Sequence, residues 1–289
     1  MRMRLTARDW VPVGPARHLL AEGPHWRPDT GTLAYVDLPA RTIHTGTGLL
    51  ELPRRVSFAI PTRTGWVAGQ ETEIAVLDGD RITRTLQLPG LTSPAVLNDA
   101  KCDPERNLWV GSYDPSGNRA GALYRLGPGG TQVIVTGAGA SNGLACTAEG
   151  STVLWIDTPT RQIHALTLDG WSGPLRSRRV WCDLRHEPGL PDGMALDAEG
   201  HAWVALFGGG RVLRIDPVGR IVGRFPTPVT HPTSLAFGGS DLRTLYLTTS
   251  RHRLTAAEVV AQPLAGAVLA AVPGVPGLPV ASADAHKLP

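Results

Sequence analysis

Glu22, Asn98, Asn142 and Asp192 each open a similar phrase of sequence. A polar residue, often followed by Gly, leads a short apolar run, a turn, and then a strand-like segment ending near Trp or Tyr. Glu22-Gly23-Pro24 leads to Leu33-Ala34-Tyr35-Val36-Asp37, and Asn98-Asp99 leads to Leu108-Trp109-Val110-Gly111. Asn142-Gly143 leads to Leu154-Trp155-Ile156-Asp157, and Asp192-Gly193 leads to Ala202-Trp203-Val204-Ala205. Carboxylates and carboxamides are hard oxygen donors. Two carboxylates with one or two carboxamides would suit Ca²⁺, Mg²⁺ or Mn²⁺, and Zn²⁺ also accepts carboxylates. A shell of three protein ligands leaves positions open for water or a substrate oxygen, the arrangement of a catalytic rather than a structural site. Asp-Gly and Asn-Gly are also common turn dipeptides. Each pair alone reads as a turn, and only their recurrence argues for a shared site.

Residues so far apart in sequence can meet only if a repeating fold delivers them to one place. The phrases recur at roughly 40–50 residues, the period of a β-propeller blade. A fifth copy opens at Thr233-Ser234-Leu235-Ala236 and leads to Leu245-Tyr246-Leu247. The expected fold class is therefore all-β, a six-bladed β-propeller with an axial metal site, formed by residues 1–289 as a single domain. The expected blades run over 22–52, 56–80, 98–135, 142–168, 192–225 and 233–271, the second being the weakest match. Residues 10–19 are expected to complete the last blade, which would close the ring and remove exposed edges. The one helical candidate is 255–261. Val212, Arg214 and Asp216 alternate with Leu213 and Ile215, as in a half-buried strand. In a propeller the innermost strand of each blade lines the central channel, so each leading residue faces the axis at one end.

Composition agrees. With 34 Gly and 25 Pro, the apolar segments are short and bounded by turns, as in many hairpins. No run approaches the roughly 18 apolar residues of a membrane helix, and Met1 to Leu20 has no apolar core of a signal peptide. The net charge is only +3. The basic clusters Arg54-Arg55 and Arg176 to Arg179 read as solvated loop faces, with no aromatic interleaving, so neither a nucleic acid nor a membrane is an expected partner. The cysteines are three, Cys102, Cys146 and Cys182, with no C-x-x-C spacing. That excludes a zinc knuckle or disulfide framework and fits a cytoplasmic location. Cys102 and Cys146 each follow a leading Asn by the same interval, as small residues on equivalent inner strands. A monomer or weak homodimer is expected.

Other motifs carry less. Gly139-Ala140-Ser141-Asn142-Gly143 matches G-x-S-x-G, but a nucleophile elbow needs a following helix and Leu144 to Ala148 reads as a strand. Gly208-Gly209-Gly210 lacks the Lys and helix of a phosphate cradle and reads as a hairpin turn. His25 and His231 adjoin blade starts and would line the pocket mouth, or simply pack there. Trp109, Trp155 and Trp203 occupy matching strand positions and read as core.

Several longer stretches resemble the regucalcin/gluconolactonase (senescence marker protein) family. They are Glu22-Gly23-Pro24-His25-Trp26, Asn98-Asp99-Ala100-Lys101, Ser141-Asn142-Gly143-Leu144-Ala145 and Asp157-Thr158-Pro159-Thr160-Arg161. Two more are Gly189-Leu190-Pro191-Asp192-Gly193-Met194-Ala195 and Pro232-Thr233-Ser234-Leu235-Ala236-Phe237. The resemblance spans about 21–278 in order. It implies one divalent metal ion held by Glu22, Asn142 and Asp192, with Asn98 and Asp99 toward the substrate or a metal-bound water. It implies opening of sugar lactones to aldonic acids. Val96 departs from the family pattern, which usually has an Arg there to grip sugar hydroxyls, and Ala100 replaces the usual Gly. Loop 112–120 has Gly117 near where some members have an acidic residue. Val96 and His25 are thus expected to shape the substrate side together with Asn98, and Val96 suggests a less polar lactone.

The expected reaction is hydrolysis of a cyclic ester, with Asp192 or Asp99 as proton acceptor and Asp192 favoured. Two other readings share the same site: a non-catalytic metal-dependent binding propeller, and an esterase acting on aryl or phosphate esters. Fold resemblance alone does not choose among them.

Overall fold

In the computed structural model, described for residues 5–289, the chain is almost entirely short antiparallel strands. They make six four-stranded sheets, the blades of a six-bladed β-propeller. A short strand β1 (Val11–Pro12) comes first. Blade one holds β2 (Ala21–Arg27), β3 (Thr32–Asp37), β4 (Thr42–His44) and β5 (Leu49–Glu51). Blade two holds β6 (Val56–Pro61), β7 (Gly65–Gln70), β8 (Glu73–Asp78) and β9 (Arg81–Gln87). Blade three holds β10 (Val96–Cys102), β11 (Leu108–Tyr113), β12 (Gly121–Gly127) and β13 (Gly130–Ala138). Blade four holds β14 (Ser141–Cys146), β15 (Thr152–Asp157), β16 (Gln162–Leu168) and β17 (Leu175–Asp183). Blade five holds β18 (Leu190–Leu196), β19 (Ala202–Phe207), β20 (Arg211–Ile215) and β21 (Ile221–Pro226). Blade six holds β22 (Pro232–Gly238), β23 (Thr244–Thr249) and β24 (Leu269–Ala271), with β1 as its outer strand through Val11↔Ala270. The N-terminal segment thus completes the last blade, as expected.

The chain divides into two compact units. One comprises residues 1–51 and 186–279, hence blades five, six and one, with β22 lying beside both β18 and β2. Its core gathers Trp203, Phe225, Leu235, Phe237 and Leu269. The other comprises residues 52–185 and 280–289, hence blades two, three and four, with β10 lying beside both β6 and β14. Its cores gather Phe58, Leu108, Val110 and Tyr124, and Trp109, Leu144, Trp155 and Leu166.

The three matching tryptophans are fully buried. An Arg from the third or fourth strand of the same blade lies over each ring: Arg125 over Trp109 at 5.7 Å, Arg178 over Trp155 at 4.9 Å and Arg214 over Trp203 at 5.8 Å. The indole N–H groups find acceptors. Trp109 donates to Asp103 at 3.0 Å, Trp155 to the Ser141 hydroxyl at 2.7 Å and Trp203 to Asp197 at 2.9 Å. A buried indole needs such a partner, and the turn Asp supplies it in blades three and five.

Three sequence expectations change. The strand at 211–215 is not half-buried: Val212, Leu213 and Ile215 are fully buried and Arg214 nearly so, in a third strand flanked by β19 and β21. Blade four does not end at 168; the basic stretch from Arg176 to Arg179 lies inside β17 rather than in a loop. Exposed positive charge on an outermost strand discourages pairing with another chain. The last blade, expected to run to 271, ends in the short strand β24, since Gly266 has φ +77 and Ala265 and Ala267 close turns on Gln262 and Leu264. The expected helix is present as α1 (Ala256–Ala261), opened by a capping box in which Thr255 accepts the Glu258 N–H at 3.3 Å. Among the described residues no helix is long and apolar enough to cross a membrane.

Candidate active site

The innermost strands share one irregularity, and the leading residues sit on it. Register breaks between Glu22 and His25 in β2, Leu97 and Ala100 in β10, Asn142 and Leu144 in β14, and Pro191 and Met194 in β18. It breaks likewise between Val56 and Phe58 in β6 and between Pro232 and Leu235 in β22. A bulge leaves an extra residue outside the ladder and re-aims its side chain. Asn98, Asp99 and Asp192 lie inside their bulges, and Glu22 and Asn142 border theirs. The corresponding bulged residues of the other two blades, Ser57 and Thr233-Ser234, are buried hydroxyls.

In the first unit, Glu22 is half-buried opposite Val36, and Asp192 is buried. They stand on the two strands flanking β22. The Thr233 hydroxyl donates to the Ala21 carbonyl at 2.7 Å, next to Glu22. On the other flank, a Cβ on Gly193 would lie 2.1 Å from the Ser234 hydroxyl oxygen. The Gly after Asp192 is therefore a requirement of close strand approach, not of a turn. His25 is buried three residues past Glu22, opposite Ala34, below the bulge.

In the second unit, Val96 opens β10 opposite Tyr113 and is half-buried. Asn98 Nδ2 donates to the Ser141 carbonyl at 3.1 Å, tying β10 to β14. Asn142 Nδ2 donates to the Thr158 hydroxyl at 3.2 Å. Both carboxamides thus commit an N–H to the protein, which turns the oxygen into the end available to a ligand. For Asn142 that is the orientation a metal ligand needs, and carboxylate and carboxamide oxygens are the donor types a hard divalent ion takes. Asp99 is half-buried and accepts the Ala100 N–H at 2.8 Å. Burial pushes its carboxyl above the usual carboxylate range, against the smaller opposing pulls of Lys101 and that N–H. Its ionised form is accordingly a stronger base than an exposed aspartate.

Sequence reasoning did not anticipate Thr158 as the partner of Asn142, although Asp157-Thr158-Pro159 stood out as a stretch. It also missed a carboxylate cluster in the turn of blade five, where ligand atoms of Asp197, Glu199 and His201 lie within 4.8 Å of one another. Asp197 already serves four donors there. Oδ1 accepts the Glu199 and His201 N–H groups at 3.0 Å each, while Oδ2 accepts the Trp203 indole at 2.9 Å and Arg214 Nε at 2.8 Å. A carboxylate offers about four lone-pair directions, so this Asp is a structural anchor with nothing left for an ion. The equivalent Asp103 holds Asn107 and Trp109 in blade three, and burial raises its carboxyl pKa.

The chain is 33% identical over 243 residues to the pentonolactonase XacC of Haloferax volcanii, covering 80% of this chain and 81% of that one. It is 32% identical over 270 residues to the 6-deoxy-6-sulfogluconolactonase of Pseudomonas putida, covering 90% and 93%. The fold matches the crystal structure of a calcium-binding protein, regucalcin, from Agrobacterium tumefaciens with a TM-score of 0.90 at 23% identity, covering 98% of this chain and all of that one. The family model described as the SMP-30/gluconolactonase/LRE-like region matches residues 20–251, and the chain belongs to that family.

Proposed function

We propose that this chain is a metal-dependent lactonase that opens a sugar-type lactone to its hydroxy acid, with one divalent ion held by Glu22, Asn142 and Asp192. The observation that supports the reading is the shared bulge: an oxygen-donor side chain lies at or beside the same irregularity in separate innermost strands. Relatives named pentonolactonase and 6-deoxy-6-sulfogluconolactonase support the substrate class. The three free cysteines suit a reducing cytoplasm.

When bound, the ion supplies Lewis acidity toward the lactone carbonyl. The remaining work falls to side chains. Asp192 accepts a proton from the water that adds to the carbonyl carbon, and the ring C–O bond then breaks. The same proton passes to the departing alkoxide, leaving a hydroxy acid. Asp99, with its raised pKa, is the second candidate acceptor. Asn98 offers its carboxamide oxygen to a substrate hydroxyl, Val96 gives an apolar wall, and His25 supports the strand that carries Glu22.

A panel of small lactones tests this. Turnover is expected with a divalent ion present. A chelator should reduce it by about a hundredfold or more, with recovery on readdition of metal. No turnover with any metal would leave the binding-propeller reading in its place.

A further inference from the structure

Arg119 stands on the bulge-bearing end of its unit and has no part in the chemistry above. It lies in loop 114–120, between β11 and β12. The loop is folded tightly around the buried Asp114. One carboxylate oxygen accepts the Ser116 N–H at 2.9 Å and hydroxyl at 2.5 Å, and the other accepts the Ala120 N–H at 2.9 Å. The Asp114 N–H donates to the Gly139 carbonyl at 3.1 Å, which docks the loop on blade four. Arg119 itself has φ +57, a left-handed conformation that a non-glycine residue keeps only where its surroundings fix it.

The guanidinium is aimed across the start of β14. Nη2 donates to Asp157 Oδ2 at 2.6 Å, and the other oxygen of Asp157 accepts the Gly139 and Ala140 N–H groups at 3.1 and 3.3 Å. A Cβ on Gly139 would lie 3.4 Å from Arg119 Nη1 and 2.7 Å from the Pro159 ring, so the close passage needs Gly there. Asp157 is fully buried, whereas the Arg119 side chain is 45% exposed. Arg has five N–H donors, and Arg119 makes no other hydrogen bond to the described residues.

We propose that Arg119 is a specificity-determining residue that selects lactones bearing hydroxyl groups. This rests on the lactonase reading and deepens it. Asp157 neutralises the guanidinium, so the pair presents a fork of donors with little net charge, suited to neutral oxygens rather than to a carboxylate or phosphate. Asn98 contributes a carboxamide oxygen on the same end, with one of its N–H groups committed to the Ser141 carbonyl. A hydroxyl both donates and accepts, and so satisfies both kinds of group. Val96 and Ala140, at the neighbouring strand starts, contribute no side-chain donor; Tyr113, opposite Val96, offers one hydroxyl, whereas Arg119 offers several N–H groups in one plane.

The experiment compares a hydroxylated pentonolactone with γ-butyrolactone, which lacks hydroxyls. Wild type, Arg119→Met and the double variant Arg119→Met with Asp157→Asn are measured, the last leaving no buried unpaired carboxylate. The ratio of kcat/KM for the two substrates should fall about tenfold or more in both variants, mainly through KM. An unchanged ratio in the double variant would overturn the proposal. If wild type opens neither lactone, the lactonase reading falls, and calorimetry of pentonolactone binding decides the role of Arg119. Binding about tenfold weaker in the variants supports it; equal affinity, or no binding by wild type, overturns it.

Discussion

Asp192→Ala should lower kcat/KM for a hydroxylated lactone by about a thousandfold or more, equivalent to about 4 kcal/mol of transition-state stabilisation. The size follows from two losses at one position. The substitution removes an oxygen ligand from a site with few of them, and it removes the group proposed to accept the proton. Folding should survive, because Asp192 lies in a bulge outside the regular ladder while the strand around it keeps its partners, Pro191↔Leu206 and Met194↔Val204. Asp192→Asn separates the two losses: it keeps an oxygen ligand but has no basic carboxylate, so it should bind metal yet remain slow. Initial rates with metal in excess, alongside a far-UV spectrum to confirm the fold, make the comparison. Full activity in Asp192→Ala would end the assignment.

Asp197→Ala should be the most destabilising single change in blade five, by about 3–5 kcal/mol. The carboxylate is fully buried and takes donors from two backbone N–H groups, the Trp203 indole and Arg214. Its removal leaves the Trp203 indole N–H without its acceptor and a nearly buried guanidinium with only the exposed Glu199 as an ion-pair partner. For a chain of this length the melting temperature should fall on the order of 10 °C. Glu199→Ala is the control. Glu199 also pairs with Arg214, at 2.6 Å, but its side chain is 61% exposed, so its loss should cost less than about 1 kcal/mol. Thermal melts of both variants, with and without chelator, give the answer. A larger shift for Glu199→Ala, or a chelator effect abolished by Asp197→Ala alone, would mean that the turn cluster holds an ion after all.

The sequence carries the blades more clearly than the details of the site. Repetition of Leu-Trp and Ala-Trp strands at a steady interval is visible without coordinates because each blade must bury the same kind of face. The N-terminal strand was legible because an unpaired edge needs closing, and the short helix at 255–261 was legible as a candidate, whereas its Thr255–Glu258 capping box emerges from the structure. The edge strand β17 was not, since Arg-Ser-Arg-Arg has the composition of a solvated loop and only its pairing with β16 makes it a strand. The bulges were also hidden. Asp192-Gly193 looks like a turn dipeptide, and the need for Gly193 comes from Ser234 on another blade. The same holds for Thr158 against Asn142 and for Arg119 against Asp157, pairs separated by one or more hairpins. Residue types at a repeated offset reveal candidate ligands, whereas the groups that orient those ligands depend on contacts between strands.

Equilibrium dialysis of metal against wild type, Glu22→Ala, Asn142→Ala and Asp192→Ala addresses the central claim most directly. Wild type should bind one divalent ion per chain, and each substitution should weaken that binding by about a hundredfold or more. Wild-type affinity retained in all three variants, or no bound ion in the unsubstituted protein, would contradict a cation gripped by these three side chains.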